Sequence, residues 1–225
     1  MFSFFSKYNR TNFSGGGVIA YKTPLCAMEE AKVLESAPQF LAPSKIDNRD
    51  MCLASNNQGT TPKCVGYATA GYCEFQHWKT EHFPQQLDAD AIYAKAKTID
   101  GIPGINGTYP WAAIKAAVSL GMIKGEGKTI QPTKLDIQFA IHQYGVCIGA
   151  FMITEDWNYV EKKTGIIRNT PDAKKRGGHG VLICGYNSDG VMLENSWGEN
   201  WGNFGFAVLE WAMFERQIDS ATVIV

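Results

Sequence analysis

The stretch from Asn57 to Trp78 constrains this chain more than any other. Its first part, Asn57-Gln58-Gly59-Thr60-Thr61-Pro62-Lys63, is rich in turn formers, and it runs directly into Cys64 and the small, apolar run Val65 to Phe75. Turn residues followed by a run long enough for several helical turns place Cys64 at a helix N-terminus. The unpaired N–H groups and the dipole of a first helical turn favour negative charge, so a thiol there ionises more readily than a free one. A thiolate is the nucleophile of cysteine chemistry. The commoner fate of a free cysteine is burial in a core, and position alone does not decide between the two.

A chain of 225 residues can bury a good core as one large domain or as two lobes sharing a cleft. Its 21 basic and 22 acidic side chains nearly cancel, which argues against nucleic acid or an anionic membrane as a partner. The basic cluster Lys174-Lys175-Arg176 is short and runs into Gly177-Gly178, as a solvated loop would. The apolar burst at Phe2, Phe4 and Phe5 is too short for a signal-peptide core, and no stretch reaches the roughly 18 apolar residues of a membrane span. A cytoplasmic protein, or one released without a classical signal peptide, is expected. The six cysteines are widely spread and none forms a Cys-x-x-Cys pair, so free thiols are expected and no structural metal.

Residues 1–41 form a distinct N-terminal extension with Gly15-Gly16-Gly17, a β-type run at Val18–Tyr21 and a helical stretch near Ala27–Leu34. Ala42-Pro43-Ser44 marks a boundary, and residues 42–225 form the main domain. Helices are expected from Cys64, over Ala89–Lys97, over Pro110–Leu120 with Pro in its first turn, and over Thr133–Tyr144, where Thr133 and Asp136 resemble a capping pair. The period then changes to short apolar runs at Val146–Ile153, Gly165–Arg168, Val181–Tyr186, Val191–Glu194 and Phe204–Leu209. Helices followed by strands predict an α+β arrangement of two lobes. Gly125-Glu126-Gly127-Lys128-Thr129 lacks the glycine spacing of a phosphate loop, and Glu194-Asn195-Ser196-Trp197-Gly198 lacks that of a serine nucleophile elbow.

A cysteine nucleophile needs a base, a group that orients the base, and donors for the oxyanion formed on attack. Of the four histidines, His77 would lie about 20 Å along the helix from Cys64, His82 lies at or beyond its end, and His142 sits within an amphipathic helix. His179 differs, because Gly177, Gly178 and Gly180 surround it where a β run begins and leave room for another chain segment. Downstream, Asn195 could accept a hydrogen bond from an imidazole nitrogen, and Trp197 could shield that bond from water. Taken singly, each feature also suits a structural histidine and a Gly-rich hairpin with core tryptophans.

Four motifs in order resemble the papain-like cysteine proteases, the family of papain and the cathepsins. They are Gln58-Gly59 with Cys64; Gly104 to Trp111; His179-Gly180-Val181 through Gly185-Tyr186; and Asn195-Ser196-Trp197-Gly198 through Trp201-Gly202 to Gly205. Ile46-Asp47-Asn48-Arg49 is similar to the family's opening, so the resemblance runs from about Leu41 to the C-terminus. It implies a helical left lobe and an antiparallel, barrel-like right lobe with the site between them. It further implies Cys64 as nucleophile, paired as a thiolate with His179 imidazolium, Asn195 orienting the ring, and Gln58 with the Cys64 N–H as oxyanion hole. Trp197 would cover the His179–Asn195 bond, Gly107 and Thr108 would align substrate backbone, and Tyr109 and Pro110 would line the main pocket. Gly149, Gly178 and Gly180 would leave that pocket open for a bulky hydrophobic residue at the second position before the cut, with a floor near Asp219 or Ser220.

There are departures from the family pattern. The positions of Thr61 and Ile105 lack the cysteines that the resemblance pairs in a disulfide, Val65 replaces an aromatic residue, and His179 follows Cys64 by only 115 residues. The expectation is a monomeric endopeptidase that needs no cofactor and acts on peptide or protein substrates. An exopeptidase similar to bleomycin hydrolase and an inactive binding module remain as alternatives. Residues 1–40 are either a compact pro-segment laid over the cleft or an extension packed on the back of a lobe.

Overall fold

A computed structural model describes residues 40–53 and 56–225, together with the backbone of residues 8–10. The run Val18–Tyr21 and the helical stretch near Ala27–Leu34 lie outside the described residues. In chain order the elements are β1 (Tyr8–Arg10), β2 (Ile46–Asp47), a 3-10 turn (Arg49–Met51), α1 (Cys64–Glu81), α2 (Ala89–Lys97), α3 (Pro110–Ser119), β3 (Gly127–Ile130) and α4 (Lys134–Tyr144). There follow β4 (Cys147–Thr154), a 3-10 turn (Glu155–Asn158), β5 (Tyr159–Glu161), β6 (Lys175–Tyr186), β7 (Gly190–Glu194), β8 (Phe206–Glu210), α5 (Trp211–Gln217) and β9 (Ile218–Ile224). The α+β expectation holds: helices α1 to α3 form one lobe, and an antiparallel sheet in the order β3-β9-β4-β6-β7-β8 forms the other.

The helix starts follow the local chemistry. Asp88 caps α2 by accepting from Ala91 N at 2.9 Å, Pro110 opens α3, and Thr133 caps α4 by accepting from Asp136 N at 3.2 Å. Gly66 on α1 is required by close packing, since a Cβ there would lie 2.7 Å from the Ala89 carbonyl oxygen of α2. Three sequence expectations shift. Gly165–Arg168 makes only isolated bridges, Ile166 to Val208 and Ile167 to Val160, in place of a strand. The rejected phosphate-loop segment contributes β3, which pairs with β9. Helix α5 and β9 were not foreseen, because Trp211 to Ile224 carries no Gly or Pro to separate one period from the other.

The lobes meet where α1 lies across the sheet. Tyr72 and Phe75 of α1 pack with Ile148, Leu182, Cys184 and Met192 in one buried cluster. Tyr72 also ties the helix to β9, for its hydroxyl donates to Ile224 O at 3.2 Å and accepts from Ile224 N at 3.0 Å. Tyr72→Phe leaves two buried backbone groups unpaired, so a loss of about 1–3 kcal/mol is expected in urea unfolding with an unchanged m-value.

Two carboxyls are buried in the same interface. Glu74 of α1 is 1% exposed and Glu194, the last residue of β7, is 7% exposed. Glu74 Oε1 accepts from Leu87 N at 2.8 Å, while Oε2 of each lacks a partner among the described residues. Burial pushes Glu74 up to about 7 against the Leu87 bond. Burial, then the nearby Glu74 charge, does the same to Glu194, also to about 7. Such groups stay protonated in the fold while the unfolded chain ionises near the ordinary value of 4.5. Their contribution to stability is therefore full below about 4.5 and is lost as pH rises towards 7. In Glu194→Gln the decline in Tm between pH 4.5 and 7.5 should be smaller than in the parent protein; equal declines would show that Glu194 is not the source.

Candidate active site

Cys64 is the first residue of α1, as expected from the turn-rich lead-in. That lead-in is clipped to the segment after β7: Gln58 N donates to Ser196 O at 2.9 Å, Gly198 N donates to Asn56 O at 3.1 Å, and Asn57 bridges Trp197 in antiparallel fashion. The clip brings the start of the helical lobe beside the Asn195-Ser196-Trp197 segment of the sheet lobe. His179 comes from β6, directly opposite Phe151 of β4. The backbone N–H of the next residue, Gly180, is near enough to the Cys64 sulfur to favour its charged form, so Cys64 and His179 lie on adjoining segments.

His179 Nε2 lies 2.7 Å from Asn195 Oδ1, which also accepts from Ser196 N at 2.9 Å. The Trp197 ring lies against His179 with centroids 4.8 Å apart and planes tilted by 33°. The ring is thus held at one nitrogen, while Nδ1 is buried with no partner among the described residues. Gln58 is held at both ends of its amide: Nε2 donates to Thr61 O at 2.6 Å, and Oε1 accepts from Ser196 Oγ at 2.6 Å.

Sequence reasoning missed Trp157. It sits in the Glu155–Asn158 turn, wholly buried, edge-on to His179 at 5.9 Å and stacked on Trp201 at 6.4 Å. Its Nε1 donates to Gln217 Oε1 at 2.7 Å, and its carbonyl accepts from Trp201 Nε1 at 2.7 Å. An aromatic pair, Trp157 and Tyr159, within an otherwise polar stretch was the available signal, but it has no periodicity to read.

Cys64 and His179 are both 0% exposed, Asn195 2% and Gln58 3%. Burial pushes the Cys64 thiol up to about 11, against the N–H groups of Gly180, Val65 and its own residue. Burial pushes His179 down to about 4, against the bond to Asn195. The helix N-terminus therefore does not dominate as the sequence suggested. A helix end supplies at most about 2 kcal/mol, whereas full burial shifts a pKa by up to roughly 3–5 units. Burial of both groups thus favours a neutral thiol and a neutral imidazole over an ion pair.

The remaining expected residues are arranged in two sets. Tyr109 caps the N-terminus of α3, Pro110 follows it, and Tyr109 packs on the cluster that contains Cys64 and Ala150. Gly107 and Thr108 precede them, with Thr108 wholly buried. On the sheet, Gly178 and Gly180 flank His179 and pair with Met152 and Ala150. Gly149 is corrected. A Cβ there would lie 2.5 Å from the Phe151 ring and 3.0 Å from Ile183 Cδ1, so it points into the sheet-lobe core and not towards Cys64. Residues paired across antiparallel strands share a face, which puts Ala150 of β4, with Gly180 of β6 and Ser220 of β9, on the side that carries Cys64. Cys52, Cys64, Cys73, Cys147 and Cys184 are free; Cys26 lies outside the described residues. Among the described residues there is no group of three or more candidate metal ligands, and no helix long and apolar enough to cross a membrane.

Residues 115–224 match the model of the papain family cysteine proteases. A gut-specific cysteine proteinase of Caenorhabditis elegans is 33% identical over 91 residues, which are 39% of this chain and 27% of that protein. The chain thus spans about a quarter of that curated relative. Among solved structures, xylellain, a cysteine protease from Xylella fastidiosa, superposes with a TM-score of 0.76 over 99% of this chain and 98% of that one, at 16% identity. Procathepsin B S9 of Trypanosoma congolense gives 0.68 over 93% and 85% at 14% identity, and digestive procathepsin L 3 of Tenebrio molitor 0.62 over 97% and 76% at 16% identity. The fold and the family match agree: the chain has the papain-like fold, and its residues 115–224 are similar to the papain family cysteine proteases.

Proposed function

We propose that this chain is a cysteine endopeptidase that uses Cys64, His179 and Asn195. One observation carries the reading: the 2.7 Å contact between His179 Nε2 and Asn195 Oδ1, roofed by Trp197, on the strand whose Gly180 adjoins Cys64. Asn195 fixes the ring so that Nδ1 is free to take the thiol proton. The Cys64 thiolate attacks the scissile carbonyl, and His179 then donates that proton to the leaving amine. The developing oxyanion takes the Cys64 backbone N–H and the second N–H of the Gln58 amide, whose first N–H is used by Thr61 O. Water then hydrolyses the thioester with His179 as base. No metal or cofactor is needed for these steps.

The segment of residues 1–40 is read as a pro-segment. Strand β1 runs antiparallel to β5, with Asn9 opposite Val160, and β5 begins two residues after Trp157, whose ring touches His179. Two of the similar solved structures are precursors by name. The buried, neutral Cys64–His179 pair fits a site held in reserve, for access of water and substrate would relieve the desolvation that keeps both groups uncharged. With residues 1–40 in place, a hydrophobic peptidyl vinyl sulfone should label Cys64 slowly near neutral pH. Removing them should speed labelling by at least about tenfold, since thiolate is the reacting form. A folded sample that never labels at Cys64 would exclude the protease, and equal rates would exclude the pro-segment.

Gly180, Ala150 and Ser220 are all small and share one face, which supports a roomy pocket for the second residue before the cut. Asp219 is exposed and alternates away from Ser220 along β9. A peptide library should therefore favour Phe, Leu or Tyr at that position, with no gain for Arg or Lys.

A further inference from the structure

The loop that leads to the substrate-aligning residues is wrapped around one ammonium group. Lys97 ends α2, and its Nζ lies 2.7 Å from Asp100 Oδ2, 3.1 Å from Ile102 O, 2.9 Å from Ile105 O and 3.1 Å from Gly107 O. The Asp100 side chain is wholly buried. Its Oδ2 accepts from Thr108 Oγ1 at 2.9 Å, and its Oδ1 accepts from Ile102 N at 3.1 Å. Gly107, at φ +89°, has its N–H held by the Tyr93 hydroxyl at 3.2 Å. Both sides of Gly107 are thus fixed from α2 and the side chain of Thr108 by Asp100 just beyond it, and no disulfide reaches this loop from Cys52, Cys64, Cys73, Cys147 or Cys184.

We propose that Lys97 is the positioning residue for substrate binding: with Asp100 it holds Gly107 and Thr108 at the height where an extended peptide can pair with their backbone. The inference rests on the reading that Gly107 and Thr108 align substrate. A compact ammonium suits the task, because its three donors can be shared among carbonyls converging from several directions, whereas the planar fork of arginine cannot follow them. The position at a helix C-terminus adds a favourable interaction with the last carbonyls. Lys97 touches neither the nucleophile nor the base, so its loss should weaken binding and leave the chemical step alone.

The experiment compares the full chain with Lys97→Met, Lys97→Arg and the double variant Lys97→Met/Asp100→Asn. The double variant removes the buried charge that Lys97→Met would strand, and so covers failure of the single variant to fold. A hydrophobic dipeptidyl vinyl sulfone gives KI and kinact separately, iodoacetamide gives the intrinsic reactivity of Cys64, and amide exchange by mass spectrometry gives the order of residues 100–108. The expected result is a KI raised by about tenfold or more with kinact changed by less than about threefold, as for lost uniform binding. Iodoacetamide rates should be unchanged, exchange in residues 100–108 should be faster by about tenfold or more, and Lys97→Arg should fall between parent and Lys97→Met. An unchanged KI and unchanged exchange in a folded variant would overturn the proposal. So would an equal loss in KI, kinact and iodoacetamide rate, which marks a general structural role. If the parent protein reacts with iodoacetamide but gains nothing from the peptidyl group, the substrate reading fails, and the exchange data still test what Lys97 holds.

Discussion

The packing of α1 across the sheet is the constraint on which the rest depends. The helix carries Cys64, the proposed nucleophile, at its first residue, and its Tyr72 and Phe75 meet Ile148, Leu182 and Met192 in the interface. Because Leu182 lies three residues beyond His179 on the same strand, seating the helix on β6 also fixes the distance between the reacting groups. The short clip of Asn57 and Gln58 on Ser196 and Trp197 then sets the depth of the helix start. One interface thus does for position what no single side chain of the site could do.

The same burial controls the charge state. A thiol at a helix start and a histidine bonded to an amide would form an ion pair if solvent reached them. Enclosed, each loses more from desolvation than its neighbours return, which favours the neutral form of both. On the proposed reading, solvent exposure would favour the ion pair, so a segment that covered the cleft would act on chemistry as well as on access. The buried carboxyls behind the site, Glu74 and Glu194, respond to the same enclosure, and they hold protons up to about neutral pH.

Much of this was legible in the sequence where function leaves a local mark. Cys64 at a helix start, His179 among glycines, and Asn195 before a Trp-Gly pair are all short-range patterns, and helices α3 and α4 announced themselves by a capping pair or a Pro in the first turn. What was not legible depends on which face a residue takes. Gly149 and Ala150 are neighbours of similar size, and only the register of β4 against β6 and β9 decides which looks towards Cys64. Trp157 was hidden for a related reason, since its part in the site comes from a turn folding back under His179. Lys97 stood out only as the end of the expected helix, because nothing in sequence tells a lysine that its carbonyl partners lie five to ten residues ahead.

Strand β9 lies inside the sheet, between the edge strand β3 and β4, although it is made about 70 residues after β4. During synthesis the helical lobe leaves the ribosome first, and its α1 face has no finished sheet to rest on. The sheet cannot close until residues 218–224 have been translated, because β4 lacks one neighbour and Tyr72 lacks its backbone partner until then. Long-range pairing of this kind is slow, and the waiting intermediate exposes apolar surface. Cys64 precedes His179 and Asn195 by more than a hundred residues, so that delay orders events in time: the three are brought together only after the rest of the molecule exists.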